Sequence, residues 1–292
     1  MPAEPIVIAH RGASGYLPEH TLPAYALAFG QGADYLEPDL VLTKDGVFIC
    51  LHDIHLEATT DVEQVFSERK RADGRWYAAD FTLEEIRSLR AHERLEDRFP
   101  QDAPGFVVPT FEELLEMVRG LERTTGRRVG VYPELKAPAW HRQQGLPMEE
   151  RFLELVRRHG YQGRDATIFV QCFELETLER LRALGSELPQ IMLFGGEEHD
   201  PLATEAGLDR VARFANGIGP SKDRVVADPE LVARAHARSL LVHPYTFRAD
   251  RLEGYPTFDA ELARFYVELR VDGLFTDFPD LAVQFLAKRG LR

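Results

Sequence analysis

The chain has 292 residues, 44% of them hydrophobic and 28% charged, an ordinary globular composition with length enough for one large α/β barrel or two smaller domains. Thirty-five basic against 48 acidic residues leave a formal charge of −13, which argues against general nucleic-acid binding, because phosphate neutralisation needs clustered Lys and Arg. The sequence has no run of 18 apolar residues and hence no membrane-spanning helix; its two cysteines, Cys50 and Cys172, read as buried free thiols and not as a disulfide framework.

The chain opens Met1-Pro2-Ala3-Glu4-Pro5, without the basic start and apolar stretch of a secretory leader. The expectation is a cytoplasmic protein, with the periplasm as the alternative if a leader has been removed. The first short apolar run covers 6–9, and the second begins at Tyr35-Leu36. A third, 47–51, follows the turn signal Lys44-Asp45-Gly46 and reads as the return arm of a hairpin. From about residue 54 to 109 the rhythm breaks. This stretch is charged, with Arg69-Lys70-Arg71 and Asp73-Gly74-Arg75, and holds Trp76-Tyr77 and one short helix opening at Thr82. It reads as an insertion at a barrel mouth, within one domain spanning 1–292. Thr110 then precedes Phe111-Glu112-Glu113, a capping-box arrangement. Further short apolar runs follow at 129–135, 167–173, 190–194, 217–219, 240–242 and 273–276, with amphipathic stretches between them. Asp228-Pro229-Glu230 places a cap residue before a proline at a first helical position. Alternating strands and helices predict a parallel sheet with right-handed crossovers. Eight such units predict a TIM (β/α)8 barrel with a small insertion after the second-strand hairpin; an open doubly wound sheet is the alternative.

In a parallel barrel the C-terminal strand ends form the active face. Here those ends are polar: His10-Arg11-Gly12, Glu37-Pro38-Asp39, His52-Asp53, Glu134-Leu135-Lys136 and Gln171-Cys172-Phe173. Side chains alternate along a strand, so Glu37 and Asp39 share one side, as do Glu134 and Lys136. Three inward carboxylates repel unless a cation sits among them, and hard oxygen donors suit Mg²⁺ or Ca²⁺. Arg11 and Lys136 add positive groups fit for a phosphate, and His10 and His52 can exchange protons near neutral pH. Together these point to metal-assisted cleavage of a phosphodiester. Taken singly, each has an ordinary structural reading: a salt-bridged E-x-D, a structural strand-end His, a lysine that merely neutralises Glu134. Five strand ends of compatible chemistry outweigh those, since buried polar groups are costly without partners.

The ordered motifs resemble the glycerophosphodiester phosphodiesterase family. His10-Arg11-Gly12-Ala13-Ser14-Gly15-Tyr16-Leu17-Pro18-Glu19-His20-Thr21 is similar to its opening motif. Glu37-Pro38-Asp39-Leu40, Lys44-Asp45-Gly46, His52-Asp53, Glu134-Leu135-Lys136, Gln171-Cys172-Phe173 and Thr276-Asp277-Phe278-Pro279 follow in the family's order. The resemblance implies a TIM barrel with an insertion after the His-Asp motif. It implies one divalent cation on Glu37, Asp39 and Glu134, an acid–base pair in His10 and His52, and a phosphate held by Arg11 and Lys136, with Gln171 also at the substrate. The implied reaction is hydrolysis of glycerophosphocholine, glycerophosphoethanolamine and similar diesters to sn-glycerol 3-phosphate and an alcohol. Attack by a glycerol hydroxyl held at the metal, through a cyclic phosphate, and direct attack by water both remain open.

His243-Pro244-Tyr245-Thr246-Phe247-Arg248 resembles the branch typified by the bacterial periplasmic enzyme, as does His20, where many relatives have Asn. Tyr245 is expected on the wall of the glycerol pocket, with a core aromatic as the alternative, and Phe278 at the mouth. Cys172 replaces a commoner Ser and is expected to point outward if Gln171 points in. Ala58 stands where relatives often carry Arg, which puts the order of the loop behind the site in question. Two competing readings are a phospholipase D-like sphingomyelinase on the same fold, which needs an apolar rim where this insertion is charged, and a non-catalytic diester-binding barrel, which would lack one of the two His or three carboxylates.

Overall fold

Proline decides how the strand ladder is divided. In the computed structural model, which describes residues 4–103 and 105–292, the strands are β1 (Ile6–His10), β2 (Tyr35–Glu37), β3 (Asp39–Leu42), β4 (Phe48–Cys50), β5 (Gly130–Val131), β6 (Glu134–Leu135), β7 (Val170–Cys172), β8 (Gln190–Phe194), β9 (Gly217–Pro220), β10 (Leu241–Val242) and β11 (Gly273–Thr276). Met1 to Ala3, part of the stretch on which the expectation about a leader rests, and Pro104 in the 54–109 stretch lie outside the described residues. Pro38 separates β2 from β3 and Pro133 separates β5 from β6, because a proline has no N–H to give the ladder. The ladders therefore run β11-β1-β2-β5 and β10-β9-β8-β7-β6-β3-β4. Backbone bonds carry the pairing across the breaks, from Tyr132 N to Leu36 O (2.8 Å) and from Glu134 N to Pro38 O (2.9 Å).

All pairings are parallel except that of β4, which returns antiparallel on β3 as the hairpin signal predicts. Asp272 N to Val242 O (3.1 Å) and Phe275 N to Pro244 O (3.0 Å) join the β10 end to β11, and β11 pairs β1. The fold is a TIM barrel. Ile8, Tyr132, Ile191 and Phe275 form one buried cluster, with Tyr132 donating to or accepting from His243 Nδ1 at 2.8 Å. A larger apolar cluster packs the strands' other faces against the helices, and Cys172 belongs to it. Both cysteines are free and buried.

Helix starts follow the local chemistry. Thr82 and Thr110 both form complete capping boxes, with Glu85 and Glu113, and open helices Leu83–Arg87 and Phe111–Thr125. Each cap contributes about 1 kcal/mol. One start differs from expectation: the helix after Asp228 begins at Glu230, with Pro229 at the cap position. The Asp228 carboxylate pairs with Arg234, six residues on, at 2.5 Å. Between Cys50 and Phe111 the described residues form short helices and isolated β-bridges, packed on an apolar cluster that includes Trp76, Phe81 and Ile86. Among the described residues no helix is long and apolar enough to cross a membrane.

Candidate active site

The C-terminal strand ends surround a cavity of about 400 Å³. His10, Arg11, Glu37, Asp39, His52 and Glu134 line it, as do Lys136, Gln171 and Tyr245. The structure thus brings together nine of the ten residues expected at the site. Phe278 is not among the lining residues. It is buried, meets the Tyr16 ring edge-on, and lies so close to Gly15 that a Cβ there would come within 2.5 Å of its ring. The proline that follows starts a helix, which turns Phe278 under the first loop and away from the cavity.

The first loop is shaped by unusual backbone. Arg11 takes φ 59° and His20 φ 61°, left-handed values that cost a side-chain-bearing residue roughly 1 kcal/mol each. The turn at Arg11 aims its N–H at Glu37 Oε2 (2.8 Å) and its carbonyl at His20 N (3.0 Å). Gly12, at φ 86°, has no room for a side chain: a Cβ would lie 2.8 Å from the Ala24 carbonyl carbon.

Glu37, Asp39 and Glu134 are all buried, and each offers an oxygen within 4.8 Å of the others'. Pairing of Asp39 with Glu134 across β3 and β6 sets this up, and Pro38 separates Glu37 from Asp39 by one residue on the same side. Burial and the Asp39 charge raise the Glu37 pKa well above the usual carboxylate range. Burial raises Glu134 to about 8, against the pull of Lys136. Burial also disfavours the Asp39 carboxylate, but Lys136, His20 and His52 override it and hold Asp39 charged. Lys136 Nζ lies 2.7 Å from Glu134 Oε1 and 3.6 Å from Asp39 Oδ1, and His20 Nε2 lies 2.9 Å from Asp39 Oδ2. Lys136 and Arg11, the latter also committed to Glu19, do not balance the three carboxylates. An all-oxygen, buried, tightly grouped donor set of this kind fits a hard divalent cation. Gln171 Nε2 donates to Glu37 Oε1 (3.2 Å) while its Oε1 is buried without a hydrogen-bond partner.

The two histidines are each backed by an aspartate. His10 Nδ1 is 2.7 Å from Asp277 Oδ1, and His52 Nδ1 is 2.8 Å from Asp53 Oδ1. Nδ1–H donation to the carboxylate leaves Nε2 of each ring as the reactive nitrogen. Burial, reinforced by Arg11, pushes His10 down to about 4 and His52 also below its ordinary value. Both are therefore neutral at pH 7 before substrate arrives. Arg11 is held by Glu19 (Nη1 to Oε2, 3.0 Å); its Nε lies 3.4 Å from Asp39 Oδ2, within ion-pair range but not aligned for a hydrogen bond. Tyr245 lines the cavity beside Phe173 and donates its hydroxyl to Phe194 O (2.9 Å), so it is wall and not core. Gln171 faces the cavity and Cys172 Sγ reaches Leu135 O (3.3 Å) on the other side, as alternation along β7 requires.

Sequence reasoning missed a supporting set. In the sequence Asp277 stands out only as part of a motif, and Arg94 and Arg98 do not stand out at all. Arg94 joins Asp53 Oδ2 (3.0 Å) to Glu19 Oε1 (2.9 Å), and Arg98 reaches Asp277 Oδ2 (2.8 Å). The loop after His52 is therefore tied through Arg94, with alanine and not arginine at position 58. Asp53, directly after His52, was a local signal; Asp277 follows β11, the strand paired with that of His10, and is brought to it only by the fold.

The profile of the glycerophosphoryl diester phosphodiesterase family matches residues 10–281. A glycerophosphodiester phosphodiesterase of Haemophilus influenzae is 37% identical, over 98% of this chain and 91% of the relative. One from Treponema pallidum is 34% identical, over 98% and 93%. The crystal structure of a putative glycerophosphoryl diester phosphodiesterase from Silicibacter pomeroyi superposes with a TM-score of 0.80 at 27% identity, covering 99% of this chain and 95% of that one. The chain belongs to the glycerophosphoryl diester phosphodiesterase family and is an enzyme of that class.

Proposed function

We propose that the protein hydrolyses glycerophosphodiesters such as glycerophosphocholine and glycerophosphoethanolamine to sn-glycerol 3-phosphate and the free alcohol, in a divalent-metal-dependent reaction. The observation that carries this is one cavity in which a buried Glu37–Asp39–Glu134 cluster, two cationic side chains and two aspartate-backed histidines meet. Glu37, Asp39 and Glu134 would hold Mg²⁺ or Ca²⁺, which supplies charge stabilisation at the phosphoryl oxygens. Arg11 and Lys136 bind the phosphate, and their positions against Glu19 and Glu134 fix them before substrate enters. One of His10 and His52 takes the proton of the attacking oxygen, either water or a glycerol hydroxyl whose cyclic phosphate water then opens; the other delivers a proton to the alcohol oxygen as its bond to phosphorus breaks. Neutral imidazole suits the base, and the incoming phosphate dianion-like transition state favours protonation of the acid. Tyr245 bounds the glycerol side. We take residues 54–109 as an insertion that shapes the mouth.

A coupled assay of glycerol 3-phosphate released from glycerophosphocholine tests this. Turnover that stops with EDTA and returns with Mg²⁺ or Ca²⁺ supports it. Product formation insensitive to EDTA removes the metal, and no product at all removes the activity.

A further inference from the structure

A second chamber of about 370 Å³ adjoins the active-site cavity. His10, Arg11, Arg248, Arg251 and Glu253 line both, and the far wall of the side chamber is the 93–98 segment of the insertion, through Glu93, Arg94 and Arg98. A phosphodiester carries two ester arms on one phosphorus. With the phosphate at Arg11, on the shared wall, each chamber takes one arm. The main cavity, with Tyr245 and Phe173, takes the glycerol.

The charges of the side chamber do not cancel. Its five arginines (Arg11, Arg94, Arg98, Arg248, Arg251) are met by six carboxylates (Glu19, Asp39, Asp53, Asp250, Asp277, Asp97). Glu93 and Glu253 line the chamber and, among the described residues, neither has an ion-pair partner. Glu93 is 2% exposed; its Oε1 accepts from Leu95 N (2.9 Å) and its Oε2 is buried with no hydrogen-bond partner. A buried acceptor left unpartnered beside a cavity is a costly feature that a bound donor relieves.

We propose that the side chamber is the subsite for the alcohol arm, and that Glu93 and Glu253 make it selective for alcohols bearing an ammonium group. The proposal rests on the phosphodiesterase reading above. An anionic arm finds no uncommitted guanidinium there. Burial disfavours the Glu93 carboxylate and raises its pKa, and a cation set against it offsets that cost. The described lining has no Phe, Tyr or Trp, so a primary ammonium, which donates hydrogen bonds to carboxylates, fits better than a quaternary one, which depends on aromatic faces.

Glycerophosphoethanolamine and glycerophosphoglycerol share the phosphate and the glycerol arm and differ by one positive charge on the other arm. Both yield glycerol 3-phosphate in the same assay. The ratio of their kcat/KM values, ethanolamine over glycerol diester, is expected to fall on the order of ten-fold in Glu253→Gln and in Glu93→Gln. Glu253 is exposed, so its variant keeps the test open should Glu93→Gln fail to fold. A ratio within two-fold of the original in Glu253→Gln overturns the charge assignment. Release of glycerol 3-phosphate from neither diester by the unmodified protein overturns the phosphodiesterase reading itself, a separate result.

Discussion

His10 Nδ1 and Asp277 Oδ1 stand 2.7 Å apart at the C-terminal ends of the paired strands β1 and β11. The other Asp277 oxygen receives Arg98 Nη2 and Arg248 Nε, each at 2.8 Å. These contacts, against the burial that opposes it, keep the carboxylate charged far below the usual range. Asp277 thus fixes both the tautomer and the tilt of the His10 ring.

Asp277→Asn should therefore reduce kcat on the order of 100-fold while leaving KM within a few-fold, because Asn cannot enforce the Nδ1–H tautomer. Steady-state kinetics with glycerophosphocholine, beside a urea melt to confirm folding, checks this. An unchanged kcat in a folded variant would remove Asp277 from the positioning of His10.

Cation binding should release protons. Glu134 lies near 8 and so carries a proton in much of the metal-free protein at pH 7, and burial with the Asp39 charge raises Glu37 as well. A cation competes with that proton, so affinity rises with pH up to about 8 and levels off above. Calorimetric titration of Mg²⁺ at pH 7 in buffers of different ionisation enthalpy should give buffer-dependent heats. Buffer-independent heats would mean that the three carboxylates are already ionised.

Acid should destabilise the fold through a histidine outside the site. His141 is fully buried, neither ring nitrogen has a hydrogen-bond partner, and burial lowers its pKa to about 4. The unfolded chain takes up a proton near 6.5 that the folded one refuses. Its stabilising contribution is thus complete above pH 6.5 and is lost as pH falls toward 4, by at most about 3 kcal/mol. His141→Phe should flatten the slope of unfolding free energy between pH 6.5 and 4.5, measured by urea denaturation. An unchanged slope would place the acid sensitivity elsewhere, His243 being the next candidate since burial lowers it likewise.

The barrel and the inner ring of the site were legible because both obey short-range rules. Apolar runs of strand length mark the strands, and alternation puts Glu37, Asp39, Glu134 and Lys136 on one side. The capping boxes at Thr82 and Thr110 needed only four residues each. The outer ring was not legible. Arg94 meets Glu19 and Asp53, and Arg98 meets Asp277 179 positions away, from a charged segment without periodicity. Nothing local distinguishes those arginines from Arg87 or Arg90, whose partners lie at the surface. Phe278 failed for a related reason: its motif position is at the mouth, but the turn into the next helix rotates its ring beneath Tyr16.

The central claim is that His10 and His52 move the protons while Glu37, Asp39 and Glu134 hold the cation. The most direct measurement pairs turnover of glycerophosphocholine with calorimetric Mg²⁺ or Ca²⁺ affinity in His10→Ala and His52→Ala. Each variant should lose at least about 100-fold in kcat while its metal affinity stays within a few-fold of the unmodified protein. Retained turnover in both variants would contradict the acid–base assignment.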